Sequence, residues 1–531
     1  MNYLERSGLL KLLLSKKTVI VFLGFFLLSF LYRFSPTHHP FWVDEFSTAV
    51  QSRMFAEKGL SVFTDKSEYF EYHNIIPHFL VALTFQLIGE SEFAARLPFM
   101  LIGSLVPPLV FLVGRKYFST ITGVGAALLS MTSYFLITWS RQARGYVLQE
   151  TIVLLVLLAY SSFLEKIDQK RSIVMPGTML CVLIGLGVLT HISMILLPFS
   201  LLLHFALFHR TLLLKLLMTW QVLLFALLLG VVGIYTGSVA RIALHFKDGE
   251  LFNNVGYYHS FLWREYGLVT FLGALGMVFG LLHSFKKTSL FFIYILLHLA
   301  FFSFLFGPYV SRYLLPIFPL FFLGMAHAIS YAAQIIWKSE LSRKVPMRVV
   351  QLVCVGIVLV VIANGFKFTL KPKAYYSVNH DFREIALINY DQVYTLIKMN
   401  VMLNEGKTAV VDTWPDRLAW YMGSDFSAQY VFRWDNGGIM RQTPYVLNAE
   451  SEKRVAQREQ VGLISNVDDL LKVVKKYPYG MIWIDDATLP ADVIAYVQKN
   501  FRPELSLEHY EFDDNPYSIW PATLYSWGYA Q

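Results

Sequence analysis

About eleven apolar stretches of roughly 20 residues each constrain the fold of this chain more than any other feature. A helix needs about 20 mostly apolar residues to cross the hydrocarbon core of a bilayer. Of the 531 residues, 55% are hydrophobic and 15% are charged, whereas soluble domains carry roughly 25% charged residues. The sequence therefore predicts a mainly α polytopic membrane protein. The predicted spans lie near residues 18–34, 96–114, 121–140, 146–164, 173–190, 192–208, 217–237, 267–283, 288–306, 313–335 and 349–366.

Basic residues orient these predicted spans. Six groups of them fall in alternate loops, so all six can be cytoplasmic at once, as the positive-inside rule requires. The groups are Lys11/Lys16/Lys17, Arg115/Lys116, Lys166/Lys170/Arg171, His209/Arg210/Lys215, Lys286/Lys287 and Lys338/Arg343/Lys344/Arg348. The N-terminus is then cytoplasmic in a cell (plasma or inner) membrane, and residues 35–95 and 238–266 form two large outer loops. With an odd number of spans, the segment after Gly365 is outside as well.

The composition changes near residue 367 to that of a soluble domain. Thr408–Asp412 and Met481–Asp485 have the pattern of buried strands ending in polar residues, and Val467–Lys476 has a helical pattern. We therefore predict a transmembrane domain over residues 1–366 and a soluble extracytoplasmic α/β domain over residues 367–531.

The net charge of +8 does not indicate a nucleic-acid-binding protein, because the Lys and Arg residues punctuate apolar runs and form no continuous patch. The lipid bilayer is the partner that this distribution favours. Cys181 and Cys354, the two cysteines, both lie in apolar runs, so no disulfide framework is predicted.

Asp44 and Glu45 directly follow the first predicted span. A carboxylate near the membrane is costly to desolvate, which makes an acidic pair there a functional candidate. Arg141, Arg144 and Arg312 lie in predicted outer turns, against the positive-inside rule. Guanidinium groups suit phosphate, so these arginines indicate a lipid-carried phosphate beside a carboxylate base. The alternative for each arginine is snorkelling to the interface or pairing with a nearby acid.

The histidines of the first outer loop are candidates of another kind. His38, His39, His73 and His78 show no recognised spacing of metal ligands, so no metal site is predicted from them. The apolar stretch that follows His73 and ends at Gly89 is shorter than a span and favours an interfacial helix.

Several motifs in this part of the chain occur in a familiar order. They are Phe41-Trp42-Val43-Asp44-Glu45, His73…Pro77, Gly89…Glu92-Phe93-Ala94…Arg96-Leu97-Pro98, Gly114-Arg115 and Ser140-Arg141-Gln142-Ala143-Arg144-Gly145-Tyr146, with Ser311-Arg312-Tyr313-Leu314-Leu315-Pro316 later. The chain thus resembles the GT-C glycosyltransferases of the dolichyl-phosphate-mannose protein mannosyltransferase (family 39-like) group, which includes the aminoarabinose transferases acting on lipid A. The resemblance covers residues 1–165 well.

This resemblance implies a membrane enzyme that moves a sugar from a polyprenyl-phosphate donor to an acceptor outside the cytoplasm. Family members place a catalytic aspartate in the first outer loop, which matches Asp44. Relatives often read His-Pro-Pro-Leu-Tyr where this chain has His73-Asn74-Ile75-Ile76-Pro77. The substrate contacts of His73 therefore stay open.

The residues also suggest a mechanism. Asp44 is the predicted general base, and Arg141, Arg144 and Arg312 the predicted donor-phosphate ligands, while His73 and Tyr146 are candidates for substrate contact. Three roles stay open for Glu45: orienting the acceptor, pairing with an arginine, or helping to bind a divalent cation. A single inverting displacement is expected, because adjacent carboxylates cannot flank a sugar as the two acids of a glycosidase do.

A polytopic transporter or flippase for a lipid-linked or anionic substrate is the alternative, since charge within the membrane also marks transport pathways. Transporters commonly contain inverted repeats, and the sequence shows no internal repeat. The pattern therefore favours a transferase, with a hexosyl or pentosyl group as the sugar and a protein, glycolipid or glycan as the acceptor.

Overall fold

The computed structural model describes most of the chain. The described residues are 15–34, 41, 43–63, 74–217, 230, 251–306, 310–338, 345–365, 367–369, 390–404, 407–423, 428–432, 461–485, 489–507 and 522–528. Helices dominate up to residue 403, and the strands all lie beyond it among these residues. The predicted fold class, a mainly α membrane protein with a C-terminal α/β domain, is confirmed.

The chain divides into two compact units. The first, called the helical unit below, contains described residues from 15–34, 74–77 and 96–369. The second, called the mixed unit, contains described residues from 41–63, 78–95 and 390–528. The predicted boundary at residue 366 stays a prediction. The structure adds that most of the first predicted outer loop clusters with the C-terminal segment.

The helices before residue 370 are numbered here in chain order. They are α1 (Lys16–Arg33), α2 (Val43–Lys58), α3 (Ile75–Ile88), α4 (Glu92–Ser104), α5 (Val106–Tyr117), α6 (Thr120–Thr132), α7 (Tyr134–Ser140), α8 (Tyr146–Asp168), α9 (Val174–Thr190), α10 (Leu196–Leu217), α11 (Val255–Ser260), α12 (Gly267–His283), α13 (Phe285–Ala300), α14 (Phe318–Lys338) and α15 (Met347–Asn364). Short turns of 3-10 or π helix cover Gly59–Phe63, Ile192–Ile195, Phe261–Glu265, Phe301–Leu305 and Ser311–Ile317.

Six helical stretches of the described residues are long and apolar enough to cross a membrane. They are Glu92–Tyr117, Tyr146–Asp168, Ser193–Leu213, Phe285–Leu305, Ser311–Trp337 and Met347–Asn364. Val255–Glu265 and Gly267–His283 form a further candidate, bent by 99°. The predicted count of about eleven spans stays a prediction, and the predicted span 217–237 lies almost wholly outside the described residues. The apolar stretch after His73 is a helix, α3, whose interfacial position also stays a prediction.

The predicted span 121–140 consists of two helices, α6 and α7, which meet at an extended residue, Ser133. Interrupted backbone at membrane depth needs hydrogen-bond partners from elsewhere in the protein. The segment that follows α15 supplies them. The amide of Tyr134 donates to the carbonyl of Lys367 (3.0 Å), and that of Thr369 donates to Thr132 (2.9 Å).

Small residues allow helices of the helical unit to approach closely. Gly276 of α12 lies against the backbone of Gly324 in α14, where an added Cβ would collide with the Gly324 carbonyl oxygen. Gly273 makes a similar approach to the same helix. Such contacts are typical of helix pairs in membranes, where packing rather than water exclusion holds helices together.

The C-terminal part of the mixed unit is a six-stranded sheet with flanking helices. Its elements are α16 (Tyr390–Leu403), β1 (Thr408–Asp412), α17 (Pro415–Met422), β2 (Gln429–Phe432), β3 (Val461–Ile464), α18 (Val467–Lys476), β4 (Tyr479–Ile484), α19 (Ala491–Asn500), β5 (Arg502–Leu507) and β6 (Ala522–Trp527). The strand order is β3-β2-β1-β4-β6-β5. The first four strands are parallel, and β6 is antiparallel to both of its neighbours.

The elements predicted in this domain are confirmed with small shifts. The strand Thr408–Asp412 and the helix Val467–Lys476 have the predicted bounds, and β4 ends one residue before Asp485. The side chain of Asn466 caps α18 by accepting a hydrogen bond from the amide of Asp469 (2.9 Å).

The connections of the sheet place β1 at its switch point. From β1 the chain moves through β2 to β3 on one side, and then returns to β4 on the other side of β1. Open α/β sheets commonly bind ligands outside the carboxyl ends of the strands at this point. Asp412 ends β1 and Asp485 follows β4, so both carboxylates lie at that edge.

Candidate functional site

The helical unit contains an arginine surrounded by aromatic rings. Arg312 lies in the 3-10 turn before α14, is only 8% exposed, and donates a hydrogen bond from Nε to the hydroxyl of Tyr146 (3.0 Å). Its guanidinium carbon lies 5.6 Å from the ring centre of Trp139, 5.5 Å from that of Tyr146 and 6.0 Å from that of Tyr313. These distances fall within the range of cation–π attraction. The rings therefore hold a permanent positive charge in a defined place.

A second arginine and a histidine extend this cluster. The guanidinium carbon of Arg144 lies 5.9 Å from the ring centre of Tyr146. The ring of His191 lies 5.9 Å from that of Tyr146 and 5.8 Å from that of Tyr313. The structure thus brings together the predicted residues Arg144, Arg312 and Tyr146. Both guanidinium groups contact the ring of Tyr146, and guanidinium groups suit an anionic group such as a phosphate.

Arg141 has different contacts from the other two arginines. It is 3% exposed, and it donates from Nε to the carbonyl of Arg33 (3.1 Å) and from Nη2 to that of Tyr32 (2.8 Å). The last carbonyls of a helix lack partners within the helix, and a basic side chain there can satisfy them. Arg141 therefore caps the C-terminal end of α1, and its predicted contact with phosphate stays a prediction.

Arg33 and Glu150 are buried charged residues that the sequence reasoning missed. Arg33 donates to Ser140 Oγ (3.1 Å), Ser29 Oγ (2.7 Å) and the carbonyl of Ser130 (3.3 Å). Glu150 interacts electrostatically with Arg33 and accepts no hydrogen bond from any residue that the structure describes. Both lie inside predicted spans, where an ionisable side chain is itself a signal of function.

Asp44 and Glu45 belong to the mixed unit, where they form part of the first turn of α2. Successive residues on a helix point about 100° apart, and their environments differ accordingly. Glu45 is 1% exposed, whereas Asp44 is half-buried. Asp44 is thus the more accessible of the two acids. The partial positive charge at a helix N-terminus stabilises a carboxylate placed there.

The acidic pair and its predicted phosphate-binding partners belong to different units. Arg141, Arg144 and Arg312 belong to the helical unit, so their predicted proximity to Asp44 stays a prediction. His73 lies outside the described residues. Within the described ranges, no group of three or more His, Cys, Asp or Glu side chains is arranged to hold a metal ion.

Aromatic contacts fix the start of α2 within the mixed unit. The ring of Phe41, just before the helix, lies 5.1 Å from that of Trp420 in α17. The ring of Phe46 lies 5.9 Å from that of Tyr421 and 5.8 Å from that of Tyr390. These two phenylalanines flank Asp44 and Glu45 in sequence, so α17 and α16 restrain the position of the acidic pair.

A buried ion cluster occupies the switch point of the sheet. Arg417 of α17 pairs with Asp412 and also with Asp485, at 2.5 Å from Nη1 to Oδ2. It also donates to the hydroxyl of Tyr390 (2.8 Å). Burial alone would raise the pKa of Asp485, but the charge of Arg417 and hydrogen bonds from Arg417 and Thr413 hold that pKa below its ordinary value. The position where related sheets bind ligands is therefore filled by side chains.

Residues 72–235 match the model of the dolichyl-phosphate-mannose-protein mannosyltransferase family. Comparison with curated protein sequences gives no match.

Solved structures resemble the chain over nearly its whole length. ArnT from Cupriavidus metallidurans in the apo state has a TM-score of 0.59 at 12% identity, covering 96% of this chain and 98% of that chain. The same protein bound to undecaprenyl phosphate gives 0.55 at 15% identity, covering 96% and 97%.

The archaeal oligosaccharyltransferase AglB from Archaeoglobus fulgidus, in complex with an inhibitory peptide and a dolichol-phosphate, has a TM-score of 0.52 at 13% identity. The match covers 88% of this chain and 69% of AglB. At these identities the likeness establishes the fold. The resemblance to GT-C glycosyltransferases that the sequence motifs predicted is confirmed, and the chain has the GT-C membrane fold of ArnT with a small C-terminal sheet domain.

Proposed function

We propose that this protein is an integral membrane glycosyltransferase that moves a sugar from a polyprenyl-phosphate donor to an acceptor hydroxyl on the extracytoplasmic side of the membrane. The observation that carries the proposal is the cluster of Arg144 and Arg312 around Tyr146. Its chemistry suits a phosphate, and the ArnT of similar fold has been solved with undecaprenyl phosphate bound. The transferred group is a hexosyl or pentosyl unit.

In this proposal the two arginines bind the donor phosphate and offset the charge that develops on it as the glycosidic bond breaks. The aromatic rings restrict the guanidinium of Arg312, so little reorganisation is needed when the donor arrives. Tyr146 accepts the Nε hydrogen bond, which turns the remaining face of that guanidinium in a fixed direction. Tyr146 is thus a residue that orients Arg312, the proposed ligand of the donor phosphate.

Arg33 and Arg141 support the turn that carries this cluster. Arg33 donates to Ser140 at the end of α7, and Arg141 donates back to the carbonyls at the end of α1. These reciprocal bonds tie α1 to the turn that leads to Arg144 and Tyr146. The two arginines therefore act on the donor through the position of that turn.

Asp44 is the proposed general base. It removes the proton from the acceptor hydroxyl, whose oxygen attacks the anomeric carbon while the polyprenyl phosphate leaves, so the configuration inverts in one displacement. A positioned base contributes about 10²–10⁴-fold to the rate. The half-buried position of Asp44 at a helix N-terminus supports this assignment. For the buried Glu45, support of the helix start is the role that its environment favours, and a divalent cation bound through it stays open.

The test is transfer by purified Asp44→Asn with undecaprenyl-phosphate-linked hexoses and pentoses as donors. Asparagine keeps the size of the side chain and removes the base, so we expect transfer to fall about 10²–10⁴-fold. Binding of undecaprenyl phosphate is expected to stay within twofold of the wild type. Glu57→Gln, on the same helix, is the matched control and is expected to transfer normally. Transfer by Asp44→Asn at the wild-type rate would refute the assigned base.

A further inference from the structure

We propose that Arg53 and Trp420 form a lock by which the C-terminal α/β domain sets the position of α2, and with it Asp44. The inference rests on the proposed function, because Asp44 matters only as the base of that reaction. It gives the α/β domain a role in catalysis that does not depend on a ligand at the sheet edge.

Arg53 joins three segments of the mixed unit. Arg53 lies in α2, and its guanidinium carbon is 4.3 Å from the ring centre of Trp420 in α17. Its Nη1 donates to the carbonyls of Ala419 and Trp420, both at 3.3 Å, and its Nε donates to Glu90 Oε2 at 2.7 Å. The two carbonyls belong to the last turn of α17, where the helix dipole favours a positive charge. Arg53 therefore ties α2 to α17 and to the turn before α4.

Trp420 carries this connection to the start of α2. Its ring lies 5.1 Å from that of Phe41, which precedes the helix, and 6.0 Å from that of Phe85 in α3. Arg53 on one face of α2 and Phe41 at its beginning thus meet the same indole ring. A helix held at its N-terminal entry and again near residue 53 has little freedom to slide or rotate.

The partner of α2 is itself held rigidly on the sheet. Arg417 fastens α17 to Asp412 at the end of β1 and to Asp485 after β4. The ring of Tyr421 stacks on that of Tyr394 in α16 at 4.3 Å and 14°. Buried ion pairs and aromatic stacking hold α17 in place on the sheet. Because the lock joins α2 to α17, it holds α2 in a defined position as well.

Arg53 acts at a distance from the reacting atoms. Arg53 lies nine positions after Asp44 on the helix, which is about 13.5 Å at 1.5 Å per residue. It is therefore a positioning residue. A displacement of about 1 Å in a catalytic group can cost about 10²-fold in rate. Loss of the lock should lower kcat while leaving the affinity for undecaprenyl phosphate, bound through the helical unit, unchanged.

The experiment compares three variants of the full-length protein. Trp420→Ala removes the shared ring, Trp420→Phe keeps an aromatic surface for Arg53 and Phe41, and Phe501→Ala is the matched control. Phe501 is buried against Trp527 in the same domain, at 5.1 Å between ring centres. Phe501→Ala should therefore destabilise the domain and leave the contacts between Arg53 and Trp420 in place. For each variant we would measure Tm, kcat, KM for the acceptor, Kd for undecaprenyl phosphate and the hydrogen exchange of α2 amides.

For Trp420→Ala we expect kcat to fall about 10-fold to 100-fold, with Kd for undecaprenyl phosphate within twofold of the wild type and faster exchange in α2. Trp420→Phe should recover most of the activity. Phe501→Ala should lower Tm and leave kcat of the folded protein and α2 exchange unchanged. Equal losses of kcat in Trp420→Ala and Phe501→Ala would overturn the lock, because that result assigns the loss to stability alone.

Hydrogen exchange separates failure of the lock from failure of the proposed function. If the wild type transfers no sugar from any donor, the proposed function fails, while exchange in α2 still reports on the lock. Unchanged α2 exchange in Trp420→Ala would overturn the lock whatever the transfer assay gives.

Discussion

Replacing Arg312 with lysine is the sharpest test of the donor site. Lysine keeps the positive charge but lacks the planar fork of donors, and it cannot reproduce the Nε bond to the Tyr146 hydroxyl at 3.0 Å. The substitution therefore separates the geometry of the guanidinium from its charge. The exposed Arg348 lies on a different helix, so Arg348→Lys is the matched control for the chemical change.

The expected magnitude follows from the bonds that are lost. A hydrogen bond to a charged group contributes about 1.5–3 kcal/mol, which corresponds to about 10-fold to 150-fold in Kd. Tyr146→Phe keeps the ring beside the guanidinium and leaves the bonds from Arg312 to the phosphate in place. Because only the orientation of Arg312 is lost, a smaller effect of about 0.5–1.5 kcal/mol, or about 2-fold to 12-fold in Kd, is expected. The assay is equilibrium binding of undecaprenyl phosphate to the purified protein.

The double variant tests whether Tyr146 acts through Arg312. Both single changes remove the same bond, so the double variant should bind no more weakly than Arg312→Lys alone. Full additivity of the two effects would contradict the orienting role of Tyr146. Wild-type affinity in Arg312→Lys would refute the assignment of Arg312 as a phosphate ligand.

Two further predictions concern residues whose roles the structure separates. Arg417→Met leaves Asp485 buried without its counter-charge, so thermal unfolding at pH 7 should show a loss of about 3–5 kcal/mol. Because the folded-state pKa of Asp485 is lowered, its pairing stabilises the protein above the unfolded pKa of about 3.9 and is lost as the pH falls through the folded value. The difference from the wild type should therefore narrow below about pH 4, and a constant difference down to pH 3 would contradict the ion-pair account. Arg141→Met should lower Tm through loss of the α1 cap, whereas Arg144→Met should weaken binding of undecaprenyl phosphate at unchanged Tm. Weaker binding of undecaprenyl phosphate in Arg141→Met, with a lower Tm in Arg144→Met, would show that the two roles are the reverse of those proposed.

Local sequence signals predicted the elements of the α/β domain well. Val467–Lys476 has apolar residues at helical spacing, and Thr408–Asp412 is a short apolar run ending in a polar residue. Both signals reside in neighbouring residues, so no tertiary information was needed. The apolar stretches likewise predicted a polytopic helical protein.

The sequence patterns did not predict contacts between residues that lie far apart in the chain. The sequence predicts Arg141 as a phosphate ligand, but it does not reveal that its Nε and Nη2 cap a helix that ends 108 residues earlier, at Arg33. The break at Ser133 depends on hydrogen bonds from residues 367–369. Arg417 is unremarkable in sequence, and only the sheet order brings Asp412 and Asp485 together around it.

Grouping of the first predicted outer loop with the C-terminal segment is the other feature that no local pattern contains. Phe41 begins the motif that contains Asp44 and Phe46 directly follows it, but their partners, Trp420 and Tyr421, lie more than 370 residues away. The aromatic residues beside the proposed base are thus explained by long-range packing.

The fate of the donor lipid tests the central claim most directly. Purified protein in liposomes would be given an undecaprenyl-phosphate-linked sugar and a hydroxyl acceptor, with release of undecaprenyl phosphate and the anomeric configuration of the product followed by NMR. A glycosyltransferase should release one undecaprenyl phosphate for each sugar transferred, with inverted configuration. Movement of the intact donor across the bilayer, with no undecaprenyl phosphate released, would contradict the account and indicate a transporter.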